Sequence, residues 1–345
     1  MNPIINSTLL SSMMAGTILT MTSHHWMFAW LGLELNTLAI IPIISKTHHP
    51  RATEASTKYF LIQAASSALF LLSGITNAYF YGTWDMTHLS NSLSKILLTT
   101  ALATKLGLAP IHFWLPEVLQ GVPILTALII ATWQKMAPMA LLLATWNLIP
   151  TPITLTLGLL STIIGGLGGL NQTQLRKMMA FSSIAHLGWM IIIITIAPNL
   201  ALLNLTLYVT LTSSVMLIMH FTSSKTLQNT THISSHSPVT TSLFLLSLLS
   251  LGGLPPMSGF TPKWLILQEL TLHHLTPLAL TMAVTALLSL MFYLRTTYIS
   301  TMTLPPSTTT LKNMWRLKPS PVTFPLSTLT LPSLLFLPIT PLLTQ

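Results

Sequence analysis

Long apolar segments, separated by short polar or proline-rich stretches, make up most of this 345-residue chain. Many segments run for about 20 residues, the length that an α-helix needs to cross a bilayer. A transmembrane barrel would instead need alternating segments of about 10 residues, which the sequence lacks. The pattern predicts an all-α polytopic membrane protein with a single membrane domain, residues 1–345. We expect about eleven transmembrane helices, near residues 3–21, 26–45, 57–79, 93–117, 123–146, 151–170, 175–196, 200–221, 239–270, 275–299 and 323–343.

Composition supports a membrane protein and limits its chemistry. Only 6% of the residues are charged, against about 25% in ordinary soluble domains. The sequence has no cysteine, which excludes disulfides, thiolate-held iron–sulfur clusters and thiolate nucleophiles. We therefore expect any redox chemistry to occur in another chain. The N-terminal residues have no basic region or cleavage site, so we expect a first helix that is retained.

Basic residues are distributed unevenly between the predicted loops. The loops on one side contain all the loop Lys and Arg residues: Lys46, Arg51, Arg176, Lys177, Lys225, Lys312, Arg316 and Lys318. The positive-inside rule places that side and the N-terminus in the cytoplasm or mitochondrial matrix, and the C-terminus on the other side. Because the net charge of +9 is spread over short loops, it predicts no nucleic-acid partner.

Two of the predicted spans contain proline-rich interruptions. The segments KLGLAPIHFWLPE (105–117) and LGGLPPMSGFTPKW (251–264) each combine Gly-Leu-x-Pro, a later aromatic residue and another proline with a nearby lysine. Proline removes a backbone donor and clashes with the preceding turn, so we expect discontinuous helices at about 93–117 and 239–270. Proline kinks that serve packing alone are the alternative.

The spacing of these interruptions predicts an internal repeat. They lie five helices apart, and a repeat of five helices inserts upside down. We expect antiporter-like inverted repeats at 1–146 (helices 1–5) and 151–299 (helices 6–10), followed by a matrix loop and a final helix at 300–345. Paired interrupted segments of this kind indicate the central site of a transporter.

Four charged residues lie deep within predicted spans: Glu34, Lys105, Lys135 and Lys263. A charge at mid-membrane costs at least about 2.5 kcal/mol and usually faces a polar interior. We expect Glu34 to pair with Lys105, although a lipid-facing carboxylate is the alternative. Burial favours a neutral lysine and a nearby carboxylate favours a charged one, so such a pair could bind and release protons. Lys263 is predicted to repeat this arrangement in the second half.

His112 and His186 could connect these groups, because histidine titrates near neutral pH. For both residues a hydrogen-bonded core histidine is an equal alternative. We expect Glu54 and Lys58 to form a surface pair. Glu117 and Glu269 are interpreted as interfacial. The sequence predicts no metal site, because His232 and His236 lie in a polar loop without carboxylates.

The motifs resemble the subunit 2 family of NADH:ubiquinone oxidoreductase, antiporter-like membrane subunits of mitochondrial respiratory complex I. The resemblance covers nearly the whole chain and includes WLGLELN, PRATEASTKYFLIQA, KLGLAPIHFWLPEV, TWQKMAP, GGLNQTQLRKMMAFSSIAHLGWM and SLGGLPPMSGFTPKW. It implies proton-channel positions at Glu34, Lys105, Lys135 and Lys263, with His112 and His186 as connecting groups.

The resemblance also implies a proton-translocating subunit that binds no cofactor itself. NADH, FMN, iron–sulfur clusters and ubiquinone would be bound by other subunits, and the electron transfer would occur there. The implied partners are membrane-arm and accessory subunits of complex I and membrane lipids, in the mitochondrial inner membrane, with the C-terminus in the intermembrane space. An independent Na⁺/H⁺ antiporter and a scaffold whose buried charges only join helices are the two alternatives.

Overall fold

The computed structural model describes residues 3–89, 91–231, 238–303 and 323–341. Eight helices within this part of the chain are long and apolar enough to cross a membrane. The prediction of a helical multi-pass protein is therefore confirmed in outline. The predicted loop with Lys312, Arg316 and Lys318 lies outside the described residues, as do His232 and His236.

The chain forms two compact units, Met1–Ser161 with Ile194–Pro198, and Thr162–Ile193 with Asn199–Gln345. In the first unit, α1 packs on α2, α2 on α3, and α3 on α4 and α5, while α7 lies against α1, α2 and α4. The helices up to residue 144 are α1 (Pro3–Thr22), α2 (Trp26–Ser45), α3 (Pro50–Tyr81), α4 (Ser92–Leu106), α5 (Trp114–Gly121), α6 (Ile124–Ala131) and α7 (Trp133–Ala144).

The remaining helices follow a short 3₁₀ turn at Trp146–Leu148. They are α8 (Thr151–Leu170), α9 (Leu175–Ile194), α10 (Pro198–Phe221), α11 (Leu227–Thr231), α12 (Pro238–Gly252), α13 (Phe260–Leu272), α14 (Thr276–Met302) and α15 (Thr323–Leu335). In the second unit, α14 packs against α11, α12 and α13, and α15 packs against α12. The boundaries of the two predicted repeats stay a prediction.

The fifth predicted span differs from the simple helix that its apolar sequence indicated. The structure divides it at Thr132, between α6 and α7. Pro138 cannot donate to the carbonyl of Gln134 and its ring crowds that carbonyl, which weakens the helix one turn upstream. The Thr132 hydroxyl donates to the Leu128 carbonyl at 2.7 Å and satisfies one acceptor there.

Loop contacts within each unit agree with the predicted alternation of sides. The loops after α1 and α3 meet at a β-bridge between His25 and Asp85, and the loops after α8 and α10 meet at one between Gln174 and Thr226. Each pair of loops lies on one side in the predicted topology.

Glycines in α8 allow neighbouring helices to approach closely. A Cβ atom on Gly165 would lie 2.7 Å from the backbone nitrogen of Ala185 in α9, whereas one on Gly166 would lie 3.0 Å from the Cβ of Leu288 in α14. Backbone cannot move away as a side chain can.

We expect Gly165→Ala to destabilise the second unit by about 1–3 kcal/mol, through overpacking, and Gly166→Ala to destabilise it less. Thermal inactivation of membranes carrying each variant measures the difference. Equal inactivation temperatures for Gly165→Ala and the wild type would contradict the close α8–α9 contact.

Candidate functional site

The first interruption separates α4 from α5. Gly107 has a φ of +79° and closes α4. The N–H groups of Gly107 and Leu108 both donate to the Ala103 carbonyl, each at 3.0 Å. Such a left-handed cap favours glycine and satisfies carbonyls that a helix end would leave free. The chain resumes a helix at Trp114, after a cis Ala109–Pro110 peptide bond.

The second interruption has the same local design. Gly253 has a φ of +78° after the last residue of α12, a cis Pro255–Pro256 bond follows, and α13 begins at Phe260. Within this segment the Ser258 hydroxyl donates to the Ser333 carbonyl of α15. The irregular backbone is therefore in contact with another helix, as non-helical segments at membrane depth require.

The two lysines beside the interruptions do not occupy equivalent positions. Lys105 lies in the last turn of α4, before Gly107, whereas Lys263 lies in α13, after Gly253. Counted from the two glycines, the position of Lys263 corresponds to Glu117 and that of Lys105 corresponds to Leu251. The prediction that Lys263 repeats the arrangement around Lys105 was wrong in this respect.

Lys105 and Lys135 line one cavity in the first unit. Both side chains are buried, with 6% and 2% of their surface exposed. Lys105 comes from the end of α4 and Lys135 from the first turn of α7, so the interruptions at Gly107 and Thr132 lie close to the two lysines in the chain. The polar residues in the cavity wall are Asn36, Thr37, Tyr59, Gln63, Lys105, Gln134 and Lys135.

Glu34 interacts with this cavity through its charge, without a hydrogen bond to Lys105. Its carboxylate interacts electrostatically with both Lys105 and Tyr59. Among the described residues, however, neither Lys105 Nζ nor Glu34 Oε2 has a hydrogen-bond partner. The two groups lie on different helices, α2 and α4.

Lys263 and His186 share a cavity in the second unit with Asn204 and Tyr208. Lys263 Nζ donates to the Gly252 carbonyl at 2.8 Å. This carbonyl ends α12, where the partial negative charge of the helix terminus favours a cation. The His186 ring lies 5.6 Å from the Tyr208 ring. The structure thus brings Lys263 and His186, both predicted from the sequence, to the same cavity.

His112 is buried at the first interruption, where its Nδ1 lies 3.1 Å from the Pro110 carbonyl. It is not among the residues that line the Lys105 cavity in the described part of the chain. The hydrogen-bonded core histidine that was the alternative for this residue agrees with this position.

The remaining charged residues lie at accessible positions. Lys58 Nζ contacts Glu54 at 2.6 Å, which confirms the predicted pair, and also contacts Glu117 at 2.7 Å. All three side chains are exposed. Within the described residues, no cluster of three or more His, Asp or Glu residues could hold a metal ion.

Sequence reasoning did not identify the uncharged polar residues of the first cavity. Gln134 Nε2 donates to Asn36 Oδ1 at 3.0 Å, and the Tyr59 hydroxyl donates to Gln134 Oε1 at 3.5 Å. The Gln63 amide donates to the Lys105 carbonyl at 3.4 Å. The only signal for these residues in the sequence was their closeness to charged residues. Gln134 precedes Lys135, Tyr59 follows Lys58, and Asn36 lies two residues after Glu34.

Comparison with known proteins relates this arrangement to a family. Residues 23–289 match the family described as NADH:quinone oxidoreductase/Mrp antiporter, TM, and residues 290–344 match NADH dehydrogenase subunit 2 C-terminus. The chain is 84% identical over 345 residues to NADH-ubiquinone oxidoreductase chain 2 of Varanus baritji, covering 100% of both chains. It belongs to the NADH-ubiquinone oxidoreductase chain 2 family.

More distant relatives are similar over nearly the whole of this chain. The Xenopus laevis chain is 54% identical over 342 residues, which cover 99% of both chains. A chain of respiratory complex I from Thermus thermophilus is similar in structure, with a TM-score of 0.84 and 26% identity over 97% of this chain and 79% of that chain. The two cavities described above therefore belong to a membrane subunit of complex I.

Proposed function

We propose that this chain translocates protons through the buried lysines of its two cavities, driven by NADH-to-ubiquinone electron transfer elsewhere in complex I. Membership in the chain 2 family makes it a proton-translocating membrane subunit of this oxidoreductase. The observation that carries the residue-level proposal is a lysine beside a helix interruption and facing a cavity in each unit, Lys105 in one and Lys263 in the other.

The geometry explains how such a lysine could move protons. Burial in general disfavours the charged form of a lysine, whereas a carboxylate or the carbonyl end of a helix nearby favours it. Lys263 donates to such a carbonyl end, that of α12. A small change in hydration or in the distance to these groups would therefore change proton affinity. Lys135 and His186 would exchange protons with the two lysines within their respective cavities, and His112 would connect the first interruption to this path.

The energies involved are compatible with this mechanism. Moving one charge against 100 mV requires about 2.3 kcal/mol. A hundredfold change in proton affinity corresponds to about 2.7 kcal/mol. Rearrangement around one buried lysine could therefore supply the work for one proton.

The wider assignment follows from the family and the topology. We propose a location in the mitochondrial inner membrane, with the N-terminus and basic loops in the matrix and the C-terminus in the intermembrane space. FMN, iron–sulfur clusters, NADH and ubiquinone would be bound by other subunits, and the partners would be membrane-arm and accessory subunits together with lipids. We also propose eleven spans and inverted repeats, supported by the matched interruptions at Gly107 and Gly253.

Lys263→Met tests the residue-level proposal in the second unit. We expect the rate of proton translocation driven by NADH oxidation to fall about tenfold in proteoliposomes, because a positioned proton-transfer group is lost. Assembly should be unaffected, because methionine retains most of the apolar side chain. The measurement is proton uptake and NADH oxidation by the purified, assembled complex.

Lys225→Met is the matched control, because Lys225 is an exposed lysine of the same unit. It should leave both rates unchanged. Normal rates of proton uptake and NADH oxidation in an assembled Lys263→Met complex would overturn the proposed role of Lys263.

An independent antiporter of related fold is the alternative function. The match of residues 290–344 to the subunit 2 C-terminus family favours a complex I subunit. Transport by the purified chain alone would favour the antiporter.

A further inference from the structure

The cavity that holds the two buried lysines of the first unit is also lined by a hydrogen-bonded set of polar side chains. Tyr59 is almost completely buried and lines the same cavity as Lys105 and Lys135. Its hydroxyl donates to Gln134 Oε1, and Gln134 Nε2 donates in turn to Asn36 Oδ1. The two hydrogen bonds therefore form a chain with one donor direction, from Tyr59 to Gln134 and from Gln134 to Asn36.

The chemistry of these three side chains differs in one important respect. A hydroxyl can accept a hydrogen bond while it donates another, so it can receive a proton and release its own. The amides of Gln134 and Asn36 offer a carbonyl acceptor and an NH₂ donor, and neither exchanges a proton readily near neutral pH. Tyr59 is therefore the group in this set that is suited to pass a proton on.

Two further observations support a role for the Tyr59 hydroxyl near Lys105. Glu34 interacts electrostatically with both Tyr59 and Lys105, so the hydroxyl lies within the field that acts on the first lysine. The hydroxyl's bond to Gln134 is long, at 3.5 Å, and hydrogen bonds of this length are weak. The hydroxyl can thus turn away from Gln134 into the cavity with little loss of bonding.

We propose that the Tyr59 hydroxyl relays protons between Lys105 and Lys135, and that Gln134 positions it. The Lys105 ammonium gives a proton to the Tyr59 oxygen as the hydroxyl releases its own proton to a water molecule in the cavity. That water then protonates a neutral Lys135 amine. Lys105 ends neutral, Lys135 ends charged, and Tyr59 and the water regain their original protonation. This inference rests on the proposed function.

Tyr59→Phe tests the relay with little effect on packing, because phenylalanine retains the edge-to-face contact with the Trp114 ring at 5.6 Å. We expect coupled proton translocation to slow by roughly fivefold, less than for a lysine because water still connects the cavity. The solvent deuterium isotope effect on the coupled rate should increase in the same variant, since proton transfer becomes more limiting. Gln134→Met should cause a smaller loss of rate, and adding it to Tyr59→Phe should cause little more.

Tyr79→Phe is the matched control, because Tyr79 is an exposed tyrosine of the same helix. It should leave the rate and the isotope effect unchanged. Lys105→Met is measured in parallel. If Lys105→Met is slow while Tyr59→Phe shows a normal rate and isotope effect, the Tyr59 relay is wrong and the lysine proposal stands. If Lys105→Met is also normal, the proposed function of the lysines fails first. A slow Tyr59→Phe complex with an unchanged isotope effect would make Tyr59 structural and would equally overturn the relay.

Discussion

Replacing Lys105 with methionine should reduce proton translocation by about a hundredfold while leaving the complex at least as stable as the wild type. The loss of rate is large because Lys105 is almost completely buried in the cavity that it shares with Lys135, and no other cationic residue lines that cavity in the described chain. The measurement is NADH-driven proton uptake in proteoliposomes that contain the purified complex.

Stability should respond differently because the Lys105 ammonium is poorly compensated. Lys105 Nζ has no hydrogen-bond partner among the described residues. Lys105→Met therefore breaks no hydrogen-bonded ion pair, and an apolar side chain of similar volume should preserve stability. Thermal inactivation therefore separates a functional loss from a folding defect.

Lys46→Met is the control for this experiment, because Lys46 is an exposed lysine at the end of α2. It should leave proton uptake unchanged. A Lys105→Met complex that assembles and pumps normally would show that Lys105 is structural. The proposed proton path through Lys105 would then be wrong.

The sequence predicted those features that depend on local pattern. Apolar segments of bilayer length gave the helices, and Gly-Leu-x-Pro located both interruptions, because proline and left-handed glycine act within a few residues of their own position. The same local rule was insufficient at Thr132. Pro138 lies in an apolar helix there, and the division falls six residues before it, beyond the Gln134 carbonyl that Pro138 affects directly. Whether such a helix bends or divides depends on packing from other helices, and periodicity does not contain that information.

The composition of the candidate site was predicted better than its geometry. Depth in the membrane follows from position along an apolar segment, so Glu34, Lys105 and Lys135 could be selected from the sequence. The direction in which a side chain points around its helix depends on packing against neighbours. The predicted pairing of Glu34 with Lys105 is therefore electrostatic and includes no hydrogen bond. The contribution of Gln134 was missed, since a buried amide gives no signal in the sequence until its partners are known.

The double variant Glu34→Gln/Lys105→Met should remain as slow as Lys105→Met alone, and this result would separate a relay from a scaffold. If the two charges only joined helices, replacing both would remove the uncompensated charge left by either single change and restore function. If Glu34 and Lys105 transfer protons, replacing both restores charge balance but does not replace the proton-transfer group lost at Lys105. We also expect Glu34→Gln alone to slow proton uptake by about tenfold, because Lys105 would lose the carboxylate that favours its charged form.

The cycle of single and double variants gives a direct measure of this distinction. Two residues that act in one proton path give losses that do not add, because the second change blocks a path that is already blocked. The scaffold interpretation predicts the opposite pattern, with two impaired single variants and a recovered double variant. Recovery of proton uptake to near the wild-type rate in the assembled double variant would therefore refute the relay. A rate that stays at the Lys105→Met level would exclude a purely structural role for the two charges, because that role predicts recovery in the double variant.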